Sequence, residues 1–289
     1  MNGIINVYKP SGCTSQHIVS AIRKIFATKE VGHMGTLDPQ GEGVLPVGIG
    51  KSTRLFDVML RKDKVYEATF KFGYETDTLD KDGAIVSQTH ILPSYEEIKK
   101  ALPFFVGEID QLPPKYSAKN INGKRAYDLA RAGFDFQLKP SRIMIYSFEL
   151  IKNIGEAEYL FKIHCSAGTY IRSLCRDLAK HLGSQATMTS IKRLKSGEFD
   201  IEHSYSIDEI RELKTNAVIP VEQVLAGFPC VEFPPEMYKK ISCGVAFPYN
   251  YDKNKLFTVY CVNEFFGLGM VDDVGIFKIK TYLRDNING

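Results

Sequence analysis

The chain has 289 residues, 44% hydrophobic and 25% charged, with a formal net charge of +3. That length admits one large domain or two ordinary ones with a sizeable core. No apolar run approaches the roughly 18 residues of a membrane span, and the start, MNGIINVYKPSG, is not a secretory signal, so the cytoplasm is the expected compartment.

In chain order, Thr14 and Ser15 can cap a helix in which Ile18, Ile22, Ile25 and Phe26 share one face. Val65 to Gly73 alternates, with Tyr66, Ala68, Phe70 and Phe72 on one side, and predicts a strand. Ser94 and Glu97 form a capping box that opens a helix toward Leu102. Ile143 to Lys152 and Glu158 to Ser166 predict two strands joined by a turn near Gly155. Thr169 to Leu182 predicts a helix closed by Gly183, and Ser206 with Glu209 caps another. Beyond Gly227-Phe228-Pro229 the texture turns to short β-like runs, clearest at 256–262 and 275–283. Without a regular βαβ rhythm, the class is α+β, a mixed and mainly antiparallel sheet flanked by helices. The expected division is 1–227 and 228–289, the second part being either a small β domain or a sheet appended to the first.

Six scattered cysteines without a CxxC pair argue against zinc and disulfides and for buried free thiols. Basic charge gathers in two stretches, seven Lys/Arg against two Asp from Lys115 to Arg142 and seven against one from Lys162 to Gly197. This suits either a phosphate-tracking surface or an ordinary solvated face. Gly48-Ile49-Gly50-Lys51-Ser52 looks like the end of a P-loop, but the first glycine of that motif falls on Leu45.

The densest signal is Gly32-His33-Met34-Gly35-Thr36-Leu37-Asp38-Pro39-Gln40-Gly41-Glu42-Gly43. Its glycines allow tight backbone and close approach, and Pro39 holds Asp38 on extended chain. Asp38 either caps its own turn or is presented to a ligand. The run GHMGTLDPQGEGVLPVGIGKSTR resembles the catalytic motif of the TruB family of tRNA pseudouridine synthases, and the resemblance is dense over residues 3 to 200. It implies that Asp38 is the nucleophile and that His33 lies in the RNA cleft and helps flip the base. Lys9-Pro10-Ser11-Gly12-Cys13-Thr14-Ser15 is similar to the family's first motif, which places Lys9 at the RNA, although Gln16-His17 stands where the family usually has His-Asp.

Tyr66 matches the family tyrosine that stacks on the base and is a candidate for the later deprotonation; its alternation with Ala68 and Phe70 also suits core packing. Cys165 to Arg172 resembles the motif whose arginine pairs with the aspartate, so Arg172 is the expected partner of Asp38 and Tyr170 lines the same pocket. A guanidinium there would hold the carboxylate ionised. Ile191 falls where the family has an apolar residue against the base. Residues 115–142 resemble an RNA-gripping insertion, with Lys115, Lys119, Arg125 and Arg142 as candidate contacts and Tyr116 and Tyr127 as stacking rings. The end of the chain, from Phe265 to Lys278, resembles a PUA-type RNA-binding domain.

The resemblance implies isomerisation of uridine 55 in the tRNA T-loop by base flipping. No cofactor, metal, membrane or obligatory protein partner is expected, and a monomer is. The alternatives are a non-catalytic tRNA-binding or folding factor and a guide-RNA-dependent relative; the trio Asp38, Tyr66 and Arg172 weighs against the first, and the basic insertion against the second.

Overall fold

The computed structural model describes residues 1–284 apart from Ala118, Asn122, Gly133 and Asp135, and without the side chains of six further residues of the insertion, Arg125 among them. The main sheet contains β1 (Gly3–Lys9), β2 (Val31–His33), β3 (Glu42–Ile49), β4 (Lys64–Phe72), β5 (Gly107–Gln111), β6 (Ser141–Gly155), β7 (Glu158–Cys165) and β8 (Ala186–Ser196). Its order is β1-β3-β8-β4-β7-β6-β5, with β2 beside β3. The pairings are antiparallel except for β8 on β3, where Lys192 and Arg193 lie opposite Glu42 and Gly43.

α1 (Ser15–Ile25) starts where Thr14 accepts a hydrogen bond from the His17 amide, and it buries Ile18, Val19 and Ile22 against Ile5, Val7, Leu45 and Val47. α2 (Tyr95–Ala101) and α4 (Ile207–Leu213) both open on complete capping boxes. The central core lies under β4 and β7, where Phe70 and Phe161 stack at 4.6 Å beneath α3 (Ile171–His181). α3 starts later than the alternation of its apolar face predicts. The Gln111 side chain bonds both the N–H and the carbonyl of Tyr170, at 2.8 and 3.1 Å, and holds that residue extended at φ −101°.

The second sheet, β9 (Cys230–Phe233), β10 (Phe247–Pro248), β11 (Leu256–Cys261), β12 (Glu264–Val271) and β13 (Ile276–Tyr282), runs β9-β11-β12-β13-β10. β12 has no strand signal in the sequence because glycine weakens strands. Here Gly269 is required, since a Cβ would run into Phe277, Val259 and Phe257. The two sheets share an apolar cluster in which Ile4, Val44, Leu55, Met59 and Phe199 meet Leu268 and Leu283. The cysteines are free; Cys165, Cys175 and Cys261 are buried, whereas Cys230 and Cys243 are exposed, contrary to the expectation for those two. Among the described residues no helix is long and apolar enough to cross a membrane.

Candidate active site

Asp38 sits on the loop between β2 and β3. Six consecutive carbonyls of this loop are bonded from outside or across its own turn. Arg193 takes Gly35 and Thr36 at 3.2 and 3.3 Å, and Ser15 Oγ takes Leu37 at 3.0 Å. The Gly41 amide takes Asp38 at 2.9 Å, the Gly12 amide takes Pro39 at 2.9 Å, and Ser11 Oγ takes Gln40 at 2.9 Å. Satisfying each backbone acceptor in one geometry fixes where the Asp38 side chain emerges. Gly41 sits where a Cβ would lie 3.0 Å from Leu37 and 3.2 Å from Ile191, so the loop packs onto β8 at that point.

The Asp38 carboxylate meets Arg172 rather than capping its own turn, with Nη2 to Oδ2 at 3.0 Å. Arg172 is buried at the start of α3, and Nη1 reaches Asp80 Oδ2 at 3.1 Å. The same guanidinium donates to the carbonyls of Thr78 at 3.0 Å and Tyr116 at 3.1 Å. One planar cation therefore bridges two carboxylates and two loops, a geometry suited to the fork of arginine. Asp80 is held in turn by Thr78 Oγ1 at 2.6 Å and the Asp82 amide at 3.2 Å. The adjoining Leu79 is buried at φ +62°, a strained conformation for leucine, and is tied to β8 through Met188.

Leu37, Tyr66 and Ile191 are buried together under this pair. Burial pushes the Tyr66 phenol above its ordinary pKa, and the Arg193 guanidinium opposes that shift. Burial also raises the Tyr170 phenol. The space bounded by Asp38, Gly41, Asp80, Met188, Ser190 and Ile191 is only about 10 Å³, room for about one water, so a planar base enters only by parting these walls. His33 ends β2 opposite Val47, half-buried on the strand that leads into the loop.

Several expected RNA contacts fall elsewhere. Lys9 is fully buried and donates to the carbonyls of Pro10, Cys13 and Pro39 at 2.9, 2.6 and 3.2 Å, so it ties two loops together and does not reach a phosphate. Lys119 is directed to the Lys139 carbonyl and Ser141 Oγ, at 3.1 and 2.6 Å, which fastens the ends of the insertion. Lys115 is exposed, and Arg142 is exposed beside Glu108 and Asp110 at 3.6 and 3.8 Å. The Arg125 side chain lies outside the described residues. In the basic stretch 162–197, Arg172 and Arg193 are buried, Lys192 pairs with Glu42 and Arg176 with Asp177, which leaves the exposed Lys162, Lys180 and Lys195 to face solvent. Lys51 of the P-loop look-alike donates to the Arg284 carbonyl.

Sequence reasoning missed Asp80, Gln111 and Arg193. For Arg193 a signal existed. It stands two residues from Ile191 on β8, hence on the same inward face.

A fixed carboxylate paired with arginine over an apolar floor can hold an ionised oxygen against a flat, apolar ligand. The sequence model described as "TruB family pseudouridylate synthase (N terminal domain)" matches residues 23–171. The tRNA pseudouridine synthase B of Clostridium tetani is 41% identical across 98% of this chain and 100% of its own length. That of Clostridium kluyveri is 38% identical with the same shares. A chain in the crystal structure of a Cbf5-Nop10-Gar1 complex is 26% identical, with a TM-score of 0.72 over 93% of this chain and 78% of its own. A chain in an H/ACA RNP bound to a substrate RNA containing 2'-deoxyuridine shares the fold, with a TM-score of 0.73 over 98% of this chain and 85% of its own at 22% identity. The chain belongs to the TruB family of pseudouridylate synthases.

Proposed function

We propose that this chain is a stand-alone tRNA pseudouridine synthase that isomerises uridine 55 of the T-loop. The observation that carries the reading is the 3.0 Å pair between Asp38 and Arg172 on a loop with six consecutive carbonyls engaged. The flipped uridine enters between Asp38 and Ile191, at an unstacking cost of a few kcal/mol. Asp38 attacks as a carboxylate, oriented by Arg172, and the N1–C1′ bond breaks. The uracil turns, C5 bonds C1′ and the Asp38 carboxylate is released, C5 loses its proton and N1 gains one, so the product is an isomer and no water is consumed. Tyr66 supplies the stacking surface and the phenol nearest the departing proton, with Arg193 keeping that phenol closer to exchange.

Residues 115–142 grip the T-arm through Lys115, Arg142, Arg125 and the paired rings of Tyr116 and Tyr127, whose centroids lie 6.3 Å apart. The Tyr116 carbonyl on Arg172 links that grip to the nucleophile. His33 and Tyr170 line the entrance, and residues 228–289 act as a PUA-like RNA-binding part. The enzyme works as a cytoplasmic monomer without an obligatory protein partner.

The test is tritium release from tRNA transcript carrying [5-³H]uridine, with no other protein or RNA added. Wild type is expected to release one tritium per tRNA and Asp38→Asn none. Release by Asp38→Asn would end the assignment of the nucleophile, and silence from both with intact tRNA binding would favour a folding factor.

A further inference from the structure

A second concave surface, of about 640 Å³, lies between α1 and α4, away from the Asp38–Arg172 pair. It is lined by His17, Ser20, Ala21, Lys24, Ile25, Arg211 and Lys214, with no acidic side chain among them. The α1 contribution is a stripe at positions i, i+3, i+4, i+7 and i+8, distinct from the buried stripe of Ile18, Val19 and Ile22. α1 itself contains no Asp or Glu. His17, Lys24, Arg211 and Lys214 are all exposed. Arg211 also pairs with Asp208, which is 87% exposed on the far turn of α4 and does not line the groove.

The groove begins close to the chemistry, because Ser15, two residues before His17, holds both the N–H and the carbonyl of Leu37 at 3.0 Å. From there seven residues of helix carry it about 10 Å to Lys24. A nucleic-acid strand running alongside presents about three phosphates over that length. The groove flanks β1, whereas the insertion leaves the sheet after β5 at the opposite end of the order. The two edges lie six strand spacings apart, about 29 Å, and the insertion reaches from its edge to Arg172 through the Tyr116 carbonyl, so insertion and groove flank the Asp38 loop from two sides. An RNA held at both places offers each a different part of itself.

We propose that the α1–α4 groove binds the phosphodiester backbone of the tRNA outside the T-arm, through His17, Lys24, Arg211 and Lys214. This rests on the reading of the chain as a tRNA enzyme. It assigns to the groove phosphate contacts that the buried Arg172 and Arg193 cannot make.

The experiment is fluorescence anisotropy on the full chain, wild type against Lys24→Gln/Lys214→Gln, from about 50 to 200 mM salt. The two probes are an unmodified tRNA transcript and the isolated T-arm hairpin. For tRNA the variant is expected to bind several-fold more weakly at low salt, and its log–log salt slope to be shallower by about 1 to 2. Hairpin binding is expected to match that of wild type. Parallel salt lines on tRNA would overturn the proposal and leave the groove to an acidic protein. An equal loss on the hairpin would also overturn it, by assigning the cations to the T-arm. If wild type binds neither probe, the functional reading falls first, and that result is separate from either of these.

Discussion

Replacing Arg172 with lysine tests the bridge at the centre of the site. The guanidinium reaches Asp38 with one nitrogen and Asp80 with the other, at 3.0 and 3.1 Å. A lysine ammonium is a point charge at the end of a flexible stem and can face one of the two carboxylates at a time. The variant therefore loses about one charge-assisted hydrogen bond, worth about 1.5–3 kcal/mol. At 1.36 kcal/mol per factor of ten, that is about ten- to 150-fold in rate. The side chain of Asp38 is 41% exposed and that of Asp80 19%, so solvent screens the first contact more. If lysine keeps Asp80 and releases Asp38, the loss belongs at the lower end, about tenfold. Single-turnover tritium release at saturating enzyme reads the chemical step, filter binding reads affinity, and a thermal melt checks that the loops of Thr78 and Tyr116 remain in place. A wild-type rate accompanied by weaker binding would refute the positioning role and make Arg172 a substrate contact.

Lys9→Met leaves the Pro10 and Cys13 carbonyls without their ammonium donor, while Pro39 keeps the Gly12 amide. The expected result is a loss of about 2 kcal/mol or more in urea unfolding with an unchanged salt slope for tRNA binding. A slope shallower by about 1 with unchanged stability would put Lys9 on a phosphate after all. Lys64 is buried, and burial lowers its amine to about 8 from 10.5. Between those values the unfolded chain holds a proton that the folded chain has released, so stability rises with pH across that window. Wild type should gain on Lys64→Met from pH 8 to 10.5 in urea midpoint; a constant difference between the two would contradict the burial of a titrating amine.

Asp38 and Arg172 are legible through runs that resemble the TruB motifs, since local chemistry alone leaves Asp38 open between a turn cap and a ligand contact. Asp80 was hidden by its local chemistry. Residues 76–83 read as turn chemistry, and the Asp80 carboxylate does bond its own turn. Only the fold brings its second oxygen to a guanidinium 92 positions away. Gln111 gives no signal at all, since one glutamine at a strand end has no pattern. Lys119 looks solvated because it lies in a basic run, and Lys9 is placed at the RNA by the motif resemblance alone, whereas carbonyls from converging loops form an equally good partner for an ammonium. The strand at 264–271 is hidden by its glycines: Gly269 leaves room for the rings of Phe257 and Phe277, and Gly267, at φ +132°, for the Thr281 backbone.

β1 is made before the other strands of its sheet and is among the last of them to be completed. Its open edge is bonded by residues from late in the chain, Ile4 to Ile219 at 2.9 Å and Tyr8 to Tyr205 at 2.8 Å. Its face toward the second sheet closes on Leu268 and Leu283, and Asn2 donates to the Leu283 carbonyl at 3.3 Å. At about 5–20 residues per second on the ribosome, β1, paired on one side with β3, waits on the order of 10–40 s for Ile219 to cover its open edge and on the order of 15–55 s for Leu268 and Leu283 to cover Ile4. An exposed apolar strand edge invites pairing with other chains. Residues 205–219 therefore act as a latch on the edge of β1 and residues 264–283 as a cover for its Ile4 face, and a ribosome that stops before Tyr205 releases a chain with an open edge ready to aggregate.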